Sequence, residues 1–150
     1  MIANTGLEVI FSALTAAFSA QMLKFVFYFA NKKSINFKIL TETGGMPSSH
    51  SSFVLALTTS VGLINGYRSI EFAIALGFSL VIMYDAAGLR RSAGRMAVVL
   101  NKIVDDIYAH KPHTSERLIE LLGHTPLEVI MGGLLGIVLA LAYHIALIRY

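Results

Sequence analysis

The sequence predicts an all-α integral membrane bundle of about four transmembrane spans, with one amphipathic helix beside them. Three observations carry that prediction. Of the 150 residues, 55% are hydrophobic and only 14% charged, and the mean hydropathy is +0.67; an ordinary soluble domain carries about 25% charge. Four apolar stretches approach the ~20 residues that cross a bilayer. A fifth stretch is periodic instead of continuously apolar. A chain of this length leaves no room for a second domain of ordinary size, so residues 1–150 read as one domain.

The first span is expected over 7–30, with Gln21 and Lys24 in its last turns, where a lysine side chain reaches the interface. Glu8 stands early and no basic region precedes it, so this stretch reads as a retained helix and not as a signal peptide. The second span, 51–64, is short and becomes long enough only if its helix starts near Pro47. Asn65-Gly66 then turns the chain into a third span over 70–87, giving a tight antiparallel pair. In 91–108, Met96, Val99, Leu100, Ile103, Val104 and Ile107 follow helical spacing, while Arg91, Arg95, Lys102, Asp105 and Asp106 occupy the other faces. That pattern fits a helix on the membrane surface or a bundle helix with a wet face. The last span, 128–148, is the most apolar and is interrupted only by His144, which is expected near the opposite face as an interfacial or core histidine.

Alternation of four spans brings Lys24, His50, Asp85, Arg90, Arg91, His124 and Glu128 to one membrane face. The same face receives ten of the twelve Lys and Arg residues, all but Arg68 and Arg149. The positive-inside rule therefore predicts that this face is cytoplasmic, in a membrane expected to be the cell membrane.

The chemistry on that face centres on two histidines at helix starts. Helix N-termini present unpaired N–H groups and a partial positive charge, which suits phosphate. In Met46-Pro47-Ser48-Ser49-His50, either Ser48 or Ser49 can cap the helix, and Gly44-Gly45 lets backbone approach a ligand. Thr125-Pro126-Leu127-Glu128 has the pattern of a capping box, so Glu128 can cap. It also stands four residues after His124, where a carboxylate can fix an imidazole tautomer. Asp85 lies inside the end of a span with Arg90 and Arg91 at its mouth. An intramembrane Asp is costly and marks a functional position or an ion pair with arginine; the guanidinium fork suits phosphate oxygens. Glu42 reads as a solvated loop charge. His110 and His113 flank a proline without acidic or cysteine support, so no metal site is expected there.

Read together, Gly44-Gly45-Met46-Pro47-Ser48-Ser49-His50-Ser51, Tyr84-Asp85-Ala86-Ala87-Gly88-Leu89-Arg90-Arg91 and Leu122-Gly123-His124-Thr125-Pro126-Leu127-Glu128-Val129 resemble the divergent, small membrane branch of the type-2 phosphatidic acid phosphatase superfamily. That superfamily is related to acid phosphatases and vanadium-dependent haloperoxidases, and the resemblance covers nearly the whole chain. It implies hydrolysis of a lipid phosphate or polyprenyl pyrophosphate through a phosphohistidine. His124 is implied as nucleophile, Glu128 as its orienting carboxylate and His50 as the acid for the leaving oxygen. Arg90, Arg91 and Lys24 are implied to neutralise the phosphoryl oxygens, with no metal or other cofactor needed; Ser48, Ser49 and Asp85 are further candidate substrate-binding residues. The chain departs from the main superfamily in four places. Ser49 stands for the glycine of Pro-Ser-Gly-His, and Glu128 for an aspartate. Leu118 stands where an arginine precedes the second histidine by six, with Arg117 one residue off, and no Lys-x6-Arg-Pro block is present.

Two other readings follow from the residues. A non-catalytic membrane protein, a scaffold or transporter subunit, could use the same anion site for a lipid headgroup. A metal-dependent phosphotransferase could be built on Asp85, Asp105 and Asp106, since Asp85-x2-Gly88 is similar to the opening of the CDP-alcohol phosphotransferase motif, but the remaining spacing fails. Nucleic acid is not expected as a partner: the formal charge is only +3 and no basic run has interleaved aromatics. The lack of cysteine excludes disulfides, zinc–thiolate sites and thiol nucleophiles. Gly132-x3-Gly136 can pack helices closely, within one chain or across a homodimer.

Overall fold

The computed structural model describes residues 3–33, 45–107 and 124–149. They form five helices: α1 (Gly6–Lys32), α2 (Ser49–Asn65), α3 (Ile70–Ala87), α4 (Leu89–Ile107) and α5 (Pro126–Ile148). Each starts or stops where local chemistry dictates. Ser48 and Ser69 cap α2 and α3 by accepting the N–H of Ser51 and Phe72. Gly66, at φ 90°, turns α2 toward α3, and Gly88 alone separates α3 from α4. The expected segments all appear, with ends moved by one or two residues.

Helices α1, α3 and α5 are long and apolar enough to cross a membrane. Helix α2 has 17 residues, about 26 Å at 1.5 Å per residue, and is the most polar of the four. It nevertheless occupies the centre, packed on α1, α3 and α5. Lipid does not have to solvate its hydroxyls, because neighbouring helices do. Ser52 Oγ donates to the carbonyl of Ala16 (3.0 Å), Ser60 Oγ to Ser12 Oγ (3.0 Å), and Ser79 Oγ to the carbonyl of Val54 (3.0 Å). These pairings run α2 antiparallel to α1 and α3.

The α2–α5 crossing is parallel and very close. A Cβ on Gly132 would collide with the backbone of Ser48, and one on Gly136 with the backbone of Ser52 and Ala56. The glycine pair left open by the sequence between internal and intermolecular use is therefore spent within the chain. Buried positions recur every fourth residue on each partner, the spacing of one helix face: Glu8, Ser12, Ala16, Ala20 and Lys24 on α1, and Ser48, Ser52, Ala56 and Ser60 on α2. Gly132, Gly136 and Ala140 do the same on α5. Ala16, Ala56 and Ala140 form the central contact.

Polar pairs close this three-helix core at both ends. At one end the fully buried Glu8 accepts from His144 Nδ1 (2.5 Å) and from the Asn4 N–H (2.6 Å). His144 is thus a core histidine. At the other end, after the same sixteen-residue interval on both helices, Lys24 stands near Glu128. Helix α4 packs on α3 and leaves Met96, Val99, Leu100, Ile103 and Ile107 exposed, the apolar face of an amphipathic helix.

Candidate active site

The start of α2, the start of α5, and the ends of α1 and α3 meet at one end of the bundle. The contact between the two helix starts is direct: the Ser48 N–H donates to the carbonyl of Glu128 (3.0 Å). That bond and the glycine crossing below it fix the two histidines. The imidazoles of His50 and His124 lie 6.5 Å apart between centroids, in an edge-to-face arrangement at 63°.

Their environments differ. His124 is 2% exposed, while His50 is open to its surroundings. Glu128 Oε2 lies 3.2 Å from His124 Nδ1 and also accepts the Thr125 N–H at 2.9 Å. The Thr125 hydroxyl completes the capping box by accepting the Glu128 N–H at 3.3 Å. One carboxylate oxygen therefore both caps α5 and holds the histidine, so the two roles do not compete. With Nδ1 turned to a carboxylate, ring chemistry falls to Nε2.

In α5, Pro126 has no N–H, and the capping box takes those of Thr125 and Glu128. In α2, Ser48 accepts the Ser51 N–H on its hydroxyl and the Ser52 N–H on its carbonyl. The Ser48 hydroxyl is fully buried and accepts from both Ser51 N–H (3.4 Å) and Ser51 Oγ (3.1 Å). Ser48 is the cap that sequence left open between two serines, and Ser51 is a partner that sequence reasoning did not single out.

Lys24 is 5% exposed. Its stem lies beside Gly45 (φ 79°), where an added Cβ would make an ordinary contact 3.8 Å from Lys24 Cδ. Asp85 is half-buried near the end of α3. Arg90 and Arg91 fall in the first turn of α4, one residue beyond α3; their side chains lie outside what is described, as does that of Asp106. Gly44, Glu42, His110, His113, Arg117, Leu118, Leu122 and Gly123 also lie outside the described residues. Among the described residues, no group of three or more His, Asp or Glu could hold a metal ion.

The chain is 42% identical over 141 residues to the uncharacterized membrane protein YuiD of Bacillus subtilis (strain 168), an alignment covering 87% of this chain and 89% of that one. No solved structure matches. The model of the Divergent PAP2 family matches residues 5–139, which takes in both histidines, the Asp85–Arg91 segment and the capping box. This membrane protein belongs to the Divergent PAP2 family.

Proposed function

We propose that the protein is a membrane phosphatase that cleaves a lipid phosphate or polyprenyl pyrophosphate through a phosphohistidine. The observation that carries the reading is the pairing of a buried, carboxylate-held His124 with an open His50 close enough for one phosphoryl group to contact both rings. His124 Nε2 attacks phosphorus, the P–O bond to the leaving group breaks, and His50 gives its proton to the departing oxygen. Water then attacks the phosphohistidine as His50 takes its proton, releasing phosphate and restoring His124. Glu128 stabilises the positive imidazole throughout and keeps Nδ1–H directed toward itself. Lys24, Arg90 and Arg91, with the start of α2 at Ser49, neutralise the phosphoryl oxygens. By the positive-inside rule this end of the bundle faces the cytoplasm.

Purified protein assayed in mixed micelles against lipid phosphates tests the proposal. His124→Ala should abolish turnover. His50→Ala should lose about 10²–10⁴-fold with lipid esters, the usual worth of a positioned general acid, and much less with activated leaving groups. If no phosphate ester or anhydride turns over, or if turnover survives His124→Ala, hydrolysis is refuted and a lipid-headgroup-binding protein is the better account.

A further inference from the structure

An open groove of about 630 Å³ runs from His50 between α1, α2 and α3. Leu14, Phe18, Phe53, Phe78 and Ile82 form its walls, and among the described residues its polar lining is Gln21, Ser49 and His50. Leu14 is seven residues before Gln21, so the α1 wall of the groove descends about 10 Å toward the bilayer middle. Phe18 and Phe78 are 64% and 61% exposed, which makes the groove a lateral opening to lipid. Its floor is kept low by Val54 and by the small side chain of Ala17.

We infer that this groove holds the substrate's apolar chain, and that the substrate is a phosphomonoester with a single chain on the leaving oxygen. The inference rests on the phosphatase reading for its chemistry and on the groove for its shape. His50, the acid for the leaving oxygen, is also the residue at the head of the groove, so whatever is bonded to that oxygen enters the groove at once. A pyrophosphate would place a second charged phosphoryl group among these walls, whose lining has no Lys or Arg among the described residues, and burying an uncompensated charge is strongly unfavourable. At roughly 30 Å³ per small group, about that of a water molecule in the liquid, a groove of about 630 Å³ takes about twenty carbon-sized groups, the bulk of one chain.

The chain has no tryptophan, so Phe78→Trp installs a single fluorescent reporter on the groove wall. In nanodiscs, a single-chain alkyl phosphonate brominated along its tail should quench that tryptophan saturably. Unlabelled long-chain phosphonate should compete, whereas ethyl phosphonate and a two-chain phosphatidate should compete poorly. Ala17→Phe, which raises the floor, should weaken long-chain binding by about ten- to a hundredfold, the scale of overpacking a filled site. It should lower the long-chain to short-chain ratio of kcat/KM by a similar factor; Leu14→Phe, at the deep end, is the second variant if Ala17→Phe fails to fold. Quenching that never saturates, or is untouched by both variants, overturns the groove and leaves it to bulk bilayer lipid. Equal competition by a two-chain phosphatidate or a prenyl pyrophosphate overturns the single-chain monoester. Saturable binding without turnover of any ester refutes hydrolysis and keeps the groove, whereas His124-dependent turnover blind to chain length does the reverse.

Discussion

Replacing Gly136 by alanine sets a methyl group against the Ser52 carbonyl and within 3.0 Å of the Ala56 nitrogen. Both obstacles are backbone, so no side-chain rotation relieves them and α2 must move away from α5. Overpacking a filled interior costs about 1–3 kcal/mol, and here the upper part of that range applies because two helix axes must separate. The comparison is Gly77→Ala, on the outer side of α3, where an added Cβ meets nothing within 4 Å. There alanine gains about 0.5–1 kcal/mol by restricting the unfolded chain and favouring helix. The same chemical change is thus expected to have opposite signs at two positions inside apolar helices. Equilibrium unfolding of both variants in one detergent, followed by helix content, measures the difference. Gly136→Ala should also lower turnover, since the displaced α2 carries His50 and the Ser48–Glu128 backbone bond. A Gly136→Ala protein as stable as wild type, or a Gly77→Ala protein equally destabilised, would refute the close-crossing argument.

His144→Ala leaves the Glu8 carboxylate buried with one partner fewer and should destabilise by about 3–5 kcal/mol, whereas joint replacement of Glu8 and His144 by leucine should recover most of that loss; unfolding of the two variants in detergent decides it. Thr125→Ala removes an N-cap and should cost ~1 kcal/mol, read from the same unfolding curves. Glu128→Gln keeps an acceptor for the Thr125 N–H, so it should unfold near wild type yet lose most turnover, because a neutral amide no longer stabilises the His124 imidazolium; full activity in Glu128→Gln would remove the carboxylate from the mechanism.

Much of the helical frame is legible in the sequence because its causes are local. Hydrophobic length marks the spans, Asn65-Gly66 marks the α2–α3 turn, and the spacing of Met96, Val99, Leu100, Ile103 and Ile107 marks the amphipathic α4. Thr125, Pro126 and Glu128 announce the start of α5 within four residues, and the capping box forms as they predict. Alternation of spans then brings His50 and His124 to the same end, because a short helical chain in a bilayer has few other ways to run.

What only the tertiary structure decides is which surfaces meet. Nothing local says that α2, the least apolar of the four, lies at the centre; it does so because Gly132 and Gly136 admit its backbone and because α1 and α3 offer partners to its hydroxyls. Glu8 and His144 stand 136 positions apart, and each reads alone as a minor interruption of an apolar stretch. Their pairing depends on the antiparallel register of α1 against α5, the same register that sets Lys24 near Glu128. The 6.5 Å between the two imidazoles is of this kind as well. Hydropathy and capping are properties of a few consecutive residues and can be read from them, but a distance between two helices depends on every side chain in the crossing, and only the packed structure fixes it.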